Sequence, residues 1–429
     1  MALPRDPWPR LASPTAQRRA MIALYALVLV AGLAEALRAL GRLHGVIFTS
    51  YLDVGNAVLS GADPYALTAN TWPPFFLLES VPLALLGRMS PHLALLVWQV
   101  VGLAATWGVV RLSVELFEDG PVRFWPGAGT GLALTSAAVI VPFLMTARLF
   151  DEHAQHTQIN VQVLWLVLFA FHLFRRGRAG RGGLALALAT STKAVPILLL
   201  AYLLYKRCWR ETLWTVAWLL ILNLGVLGAV FGPAGTVHLW ERWHAVAGGE
   251  LRDPTPTFMN QSLLAGLKRA VTAEGGLRDP VNYHVAAWSA GAARGLFIAV
   301  AGALALGLAW LFRKRPGDLT GPRAGAELAL CLGAMVVVDP LAWKAHYVVL
   351  ITAYAYAWWV LRRGGAPAWQ WGLWWGSFAC LTLSAAAVWG GRVSHILESY
   401  DVILVGALLL LGLTAALLHR ERGSGKGEA

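Results

Sequence analysis

Residues Gly295–Arg315 read GLFIAVAGALALGLAWLFRKR, an apolar run that ends in three consecutive basic residues. Extended back to residue 291, the run reaches the roughly 20 residues that a helix needs to cross the hydrocarbon of a bilayer. The cations at its end mark the side that stays in the cytoplasm. Comparable runs occupy about 20–40, 91–112, 126–147, 159–174, 211–232, 325–343, 345–361, 368–389 and 401–419. The composition agrees, with 57% hydrophobic and 14% charged residues against roughly 25% charged in soluble domains, and a mean hydropathy of +0.58. A soluble enzyme is excluded. The net charge of +12 comes from 35 Lys and Arg against 23 Asp and Glu, and the cations cluster between apolar runs. That pattern encodes topology and predicts membrane lipids as partners, not nucleic acid.

The basic clusters are Arg18-Arg19, Arg175 to Arg181, Lys206-Arg207 with Arg210, Arg313-Lys314-Arg315, Arg362-Arg363, and Arg420 with Arg422. Two segments decide whether all of them fall on one side. Residues 182–205 are about one span long, yet basic clusters flank both ends and Lys193-Ala194-Val195-Pro196 interrupts the middle. Proline breaks the helical ladder and a mid-membrane lysine is costly, so two half-length helices in a re-entrant cytoplasmic hairpin are expected. Residues 73–90, bracketed by Pro73-Pro74, Pro82 and Pro91, are too short to cross and predict an outer interfacial helix. The expected fold is an all-α polytopic membrane protein of about ten full spans plus these two segments. It has a cytoplasmic tail at 1–19, one transmembrane domain over 20–419 and a second cytoplasmic tail at 420–429. The run after Arg18-Arg19 is expected to be an uncleaved first helix, because many spans follow it. Cys208, Cys331 and Cys380 suggest neither a disulfide nor a metal site.

The outward segments are then 41–90, 148–158, 233–290, 339–346 and 390–400, and they collect the polar residues. Asp53 is expected near the start of an outer helix. There it either caps the helix or, partly desolvated with a raised pKa, serves as a base toward a hydroxyl. Asp151-Glu152-His153 with His156 carries metal-ligand residue types in no strong ligand spacing, and reads as a hydrated loop. Gln158 and Asn160 enter an apolar helix and need hydrogen-bond partners, either a sugar or neighbouring helices. The turn Asp339-Pro340-Leu341-Ala342-Trp343-Lys344-Ala345-His346-Tyr347 joins two spans almost without a loop, so its ionisable groups are held at the membrane edge. Lys344 there either neutralises a lipid-linked phosphate or snorkels beside Trp343, and His346 can donate to the same phosphate.

Taken in order, Leu59-Ser60-Gly61-Ala62-Asp63-Pro64-Tyr65, Trp72-Pro73-Pro74-Phe75, Gln158-Ile159-Asn160, Lys193-Ala194-Val195-Pro196, Asn260-Gln261-Ser262-Leu263 and Pro340 to Tyr347 resemble glycosyltransferase family 87. This is a family of the C superfamily of membrane glycosyltransferases, whose best-understood relatives transfer mannose from polyprenyl phosphate. The resemblance implies a polyprenyl-phosphate sugar donor, a lipid or cell-envelope glycan acceptor, an inverting single displacement and an outward-facing pocket, while the richness in Ala, Gly, Leu, Arg and Trp suits a bacterial inner membrane. It implies Asp53 as base, Lys344 and His346 against the departing phosphate, and Tyr51, Tyr65, Gln158, Asn160, Asn260 and Gln261 around the substrate. Lys193 is either a second phosphate contact or an anchor reaching back to the cytoplasmic interface. No cofactor is required, since Lys and His can neutralise a monophosphate leaving group, and the chemistry leaves room for a divalent metal.

Two departures from the family pattern stand out. The acid usually found four residues before the tyrosine matching Tyr51 is Ile47 here, and a glycine before Gln158 is replaced by Thr157. Asp53 then supplies the carboxylate, or Asp339, Asp151 or Glu152 does, or the chain is a catalytically silent homologue. A transporter or lipid flippase is the rival class, weakened by the scarcity of ionisable residues at mid-span.

Overall fold

The computed structural model describes residues 47–424 apart from 68–69, 119, 124–131, 134–135, 275–278 and 314–315, together with isolated positions between 19 and 41. The expected span at 20–40 and the first part of that at 126–147 therefore lie outside the described residues. The helices are α1 (Ile47–Ser60), α2 (Pro74–Met89), α3 (Pro91–Glu115), α4 (Ala137–Gln155), α5 (Asn160–Arg175), α6 (Ala179–Thr192), α7 (Leu198–Tyr205) and α8 (Trp209–Leu220). They continue as α9 (Leu227–Arg252), α10 (Leu263–Val271), α11 (Ala290–Phe312), α12 (Gly321–Val338), α13 (Ile351–Leu361), α14 (Ala368–Phe378), α15 (Ala386–Ser399) and α16 (Val402–Ser424). Two short parallel strands pair Val122 with Leu132 and Arg123 with Ala133.

Among the described residues, five helices are long and apolar enough to cross a membrane, or six if the bent pair α14–α15 is one span. The protein is thus an all-α membrane protein, and five or six full-length spans of the ten expected are found among the described residues. The differences are local. The helix at 159–174 is only α5, and the stretch 345–361 opens as a tighter 3-10 turn at Lys344–Leu350 before becoming α13. The run at 368–389 breaks, and its two helices meet at 89°. The expected end of the 211–232 span coincides with Gly232, whose φ of 73° interrupts the helix before Pro233 restarts it.

The chain forms two compact units. An N-terminal unit takes the described residues of 29–109 and 152–254, and a C-terminal unit those of 1–28, 110–151 and 255–429.

In the N-terminal unit, α1 buries Phe48, Tyr51, Leu52, Val54, Gly55 and Ala57, a helical stripe that seats it on α2. The two helices approach so closely that a Cβ on Gly55 would lie 2.5 Å from Ser80 O and 2.6 Å from the Ala84 Cβ. The segment 73–90 forms α2, started by Pro74 at its first position and too short to be counted among the spans. Helices α6 and α7 flank Lys193 and Ala194, so the helical break expected in 182–205 is present at that point. In the C-terminal unit, α12 is buried along most of its length and packs on α13 and α16.

Gly55→Ala is expected to lower stability by about 1–3 kcal/mol through overpacking. Gly228→Ala, where an added Cβ meets nothing within 4 Å, leaves stability unchanged or slightly raised. Thermal unfolding of the two variants in detergent checks the contrast.

Candidate active site

Each unit gathers one group of the residues singled out from the sequence. The N-terminal unit holds Tyr51, Asp53, Tyr65, Glu152, Gln158, Asn160 and Lys193. The C-terminal unit holds Asp151, Asn260, Gln261, Asp339, Lys344 and His346.

Asp53 lies in the middle of α1, not at its start, because the helix already begins at Ile47. It falls between the buried positions of the stripe and is therefore exposed. The protein itself leaves the carboxylate uncovered. Tyr51 and Tyr65 are buried. Tyr51 packs edge-on against Trp72 and Phe76 and tilted against Trp98, and the Tyr65 hydroxyl donates to Trp72 O at 3.0 Å. Burial pushes both phenols up, so they stay protonated and serve as packing and cross-links. Asp63 accepts from Tyr65 N and pairs with Arg242 at 2.7 Å.

The buried amides at the start of α5 find their partners within the protein. Asn160 Nδ2 donates to Gln158 Oε1, and Lys193 Nζ donates to Asn160 Oδ1 at 2.7 Å. Lys193 thus reaches the first residue of α5. The basic loop lies past the helix's far end at Arg175, so the ammonium does not snorkel back toward it. His153 is buried and its pKa is lowered to about 3, first by desolvation and then by the Lys193 charge, which keeps the imidazole neutral. Asp151 is exposed, Glu152 is half-buried, and Glu152 lies 3.6 Å from His156 Nε2. Among the described residues, no three His, Cys, Asp or Glu side chains are grouped to hold a metal ion.

Thr157 explains the missing glycine. Its φ is 51°, a left-handed conformation that glycine adopts freely and a β-branched residue at a cost of roughly 1–2 kcal/mol. The threonine offsets part of that cost. Its Oγ1 accepts from Phe48 N at 3.3 Å and donates to His156 O at 2.7 Å, while its carbonyl accepts from Trp98 Nε1 at 3.0 Å.

Glu79, which the sequence did not single out, stands on α2 beside Thr192 of α6. Thr192 Oγ1 lies 2.9 and 2.8 Å from its two carboxyl oxygens and 2.8 Å from Leu188 O. One hydroxyl hydrogen serves one acceptor at a time. A protonated Glu79 resolves the competition, donating to Thr192 while Thr192 donates to Leu188 O. Burial raises the carboxyl pKa to about 7, opposed by the Thr192 hydrogen bond.

In the C-terminal unit, the Asn260 and Gln261 side chains each make three hydrogen bonds to backbone. Asn260 Nδ2 donates to Pro340 O at 2.8 Å, and its Oδ1 accepts from Ser262 N and Ala342 N. Gln261 Nε2 donates to Phe258 O and to Glu398 O, and its Oε1 accepts from Ile403 N. The Asn260 side chain clamps the 339–346 turn, the Gln261 backbone N–H donates to Ala342 O, and the Gln261 side chain ties Phe258, Glu398 and Ile403 together. Tyr347 adds a 2.6 Å bond from its hydroxyl to Gln261 O. Arg269 braces the same loop from behind. It donates to Thr257 O and Asn260 O and pairs with buried Asp401, itself at φ 59° and bonded to the Tyr283 hydroxyl.

The clamped turn presents its ionisable groups in a defined way. Asp339 accepts from Leu341 N at 3.1 Å. His346 Nδ1 accepts the Trp343 N–H at 2.7 Å, so in the neutral ring the proton sits on Nε2, which is a donor. Lys344 Nζ meets Glu398 Oε1 at 3.0 Å, and the same oxygen pairs with Arg148 at 2.5 Å. Neither Glu398 nor Arg148 was flagged by the sequence reading. The signal was an arginine inside the apolar run that forms α4 and a glutamate at the foot of the last span.

A sequence profile of glycosyltransferase family 87 matches residues 70–340, more than half of the chain. The chain belongs to glycosyltransferase family 87. It is a membrane glycosyltransferase, with a sugar donor and an acceptor as substrates. No curated protein sequence matches it.

Two outcomes test the site's construction. Thr157→Gly is expected to be about 1 kcal/mol more stable than Thr157→Ala, which keeps the strained φ and loses the Oγ1 bonds. For Glu79, the native state holds its proton more tightly than the unfolded chain. Its contribution is complete below about pH 4.5 and lost as pH rises through about 7. Thermal midpoints recorded across that window should fall with pH, and Glu79→Gln should flatten this component of the slope.

Proposed function

We propose that this glycosyltransferase moves a hexose, mannose in the reading drawn from the resemblance, from a polyprenyl-phosphate carrier to a lipid or cell-envelope glycan acceptor. The reaction takes place on the outer face of a bacterial plasma membrane. The observation that carries the reading is the clamped turn. Lys344 and the Nε2–H of His346 stand on one short helical turn held by Asn260, Gln261 and Tyr347. An ammonium and a neutral imidazole donor on a rigid support suit a phosphate that gains charge as it departs.

In the proposed reaction the acceptor hydroxyl oxygen attacks the anomeric carbon, and the bond from that carbon to the phosphate oxygen breaks. The carrier leaves as polyprenyl phosphate, the hydroxyl proton passes to a carboxylate, and the anomeric configuration inverts. Lys344 and His346 stabilise the charge that collects on the phosphate. Asp53 is the proposed base, being accessible and without an ion-pair partner among the described residues. Asp339, on the turn that carries Lys344, is the second candidate, ahead of Asp151 and Glu152. Bond transfer in place of transport follows from the family. The lipid-phosphate donor is supported by the Lys–His turn.

Purified protein given radiolabelled polyprenyl-phosphate mannose and an envelope lipid extract should release polyprenyl phosphate and label a lipid or glycan. Asp53→Asn is expected to lower turnover about 100-fold or more, as removal of a general base does. Lys344→Met and His346→Phe should each cost a comparable factor in kcat/KM. Full activity in Asp53→Asn with loss in Asp339→Asn would move the base to Asp339. Absence of donor cleavage by wild type with every polyprenyl-phosphate sugar tried would overturn the donor assignment.

A further inference from the structure

In the C-terminal unit, the segments wired to the clamped turn display aromatic rings in stacked pairs. Tyr283 and Tyr400 stand with ring centroids 4.9 Å apart and planes 31° apart, and Phe258 and His395 at 4.8 Å and 43°. Tyr400 keeps 50% of its surface open and His395 is exposed. One face of the Tyr400 ring is taken by Tyr283, so its open surface includes the other face.

The backbone accounts for that exposure. Helix α15 ends at Ser399, and Tyr400 is the residue that follows it. Asp401 then takes a left-handed φ of 59°, its N–H bonded back to Glu398 O at 3.0 Å, and the chain turns into α16. The corner leaves Tyr400 outside both helices. Asp401 also fixes the partner ring. Its carboxylate accepts the Tyr283 hydroxyl at 2.9 Å and pairs with Arg269, whose guanidinium donates to Asn260 O at 2.8 Å. Asn260 in turn holds Pro340 and Ala342 of the turn. Burial and the Asp401 charge push the Tyr283 phenol up, so it remains a donor. The loop that bears Tyr283 is pinned to the end of α10, with Val285 N donating to Ala270 O at 2.8 Å and Trp288 N to Val271 O at 2.7 Å. The ring pair and the turn that carries Lys344 and His346 are parts of one hydrogen-bonded frame.

An aromatic belt at a membrane boundary needs only rings that lie against the headgroups. It does not call for a ring backed by a second ring that a buried ion pair holds in place. A fixed, half-open ring face suits a ligand with a flat apolar side and polar edges. A pyranose is such a ligand, because its C–H face meets the negative face of the π-system while its hydroxyls stay in water. A glycosyltransferase has sugar-bearing substrates. The donor sugar is held by its bond to the phosphate, whereas a glycan acceptor has to be gripped by its own rings, and preorganised contacts do this at the least entropic cost.

We infer that the open face of Tyr400, backed by Tyr283, is a stacking platform for a pyranose ring of the acceptor, a specificity-determining contact kept in register with the 339–346 turn. This rests on the proposed reading of that turn as the reacting end and of the acceptor as a glycan.

The test is saturation-transfer NMR of methyl α-D-mannopyranoside with the full chain in deuterated dodecylphosphocholine micelles, irradiating aromatic protons. Transfer should be strongest to the ring C–H protons. Tyr400→Ala and Tyr400→Leu should each weaken binding about fivefold, while Tyr400→Phe stays within about twofold of wild type. Mannitol, with the hydroxyls but no ring, should show no such order. In turnover with polyprenyl-phosphate mannose, Tyr400→Ala should raise the apparent KM for the envelope lipid extract about fivefold and leave kcat and the donor KM unchanged.

Wild-type sugar binding by folded Tyr400→Ala or Tyr400→Leu overturns the platform and makes Tyr400 a membrane-belt residue. The same variant order with mannitol overturns ring stacking. A raised donor KM with an unchanged acceptor KM overturns the assignment to the acceptor. Should wild type cleave no polyprenyl-phosphate sugar, the donor reading fails separately, and the NMR measurement still decides the platform because its probe carries no phosphate.

Discussion

A carboxylate inside an apolar helical bundle is costly unless cations meet it, and Glu398 is met by two. Its side chain has no exposed surface, and Arg148 and Lys344 converge on one of its oxygens. Removing either partner from a buried pair leaves a charge that the surroundings cannot solvate. The arrangement therefore ties α4, the turn after α12 and α15 together with an interaction that tolerates little displacement. Gln261 reinforces the same tie through the Glu398 carbonyl, the Phe258 carbonyl and the Ile403 amide. The geometry of the turn that carries Lys344 and His346 follows from these contacts.

The N-terminal unit meets the same constraint with one cation set among neutral amides. Gln158, Asn160 and Lys193 satisfy one another at the start of α5, and His153 stays uncharged nearby. Thr157 holds a backbone conformation suited to glycine and draws on its hydroxyl to do so. Backbone strain is tolerated where surrounding contacts over-determine a position, and here Phe48 and Trp98 both bond to the strained residue. A membrane glycosyltransferase needs polar groups at fixed positions near an apolar solvent, and each unit fixes them by pairing.

The sequence made the fold class legible through long apolar runs with basic ends, and the family through short motifs in order. It placed the break around Lys193 because proline acts locally. Hydropathy does not reveal where a helix starts as a 3-10 turn, as at Lys344–Leu350, or bends by 89°, as between α14 and α15. The same limit explains the individual residues. Asn260 and Gln261 carry the groups a sugar site would need, but only the fold shows that backbone from 340–342, Glu398 and Ile403 takes them up. Arg148 and Glu398 are 250 residues apart in sequence, and no local pattern announces that they pair. Asp53 looked like a desolvated acid near a helix start, yet the stripe of α1 leaves it on the open face.

Lys344 and His346 are the proposed seat for the phosphate of a polyprenyl carrier. A cryo-electron microscopy map of the full chain in lipid nanodiscs with bound polyprenyl phosphate tests it most directly. The account predicts phosphate density within hydrogen-bonding distance of Lys344 Nζ and His346 Nε2. A phosphate bound elsewhere, with those two groups facing empty solvent or lipid, would contradict it.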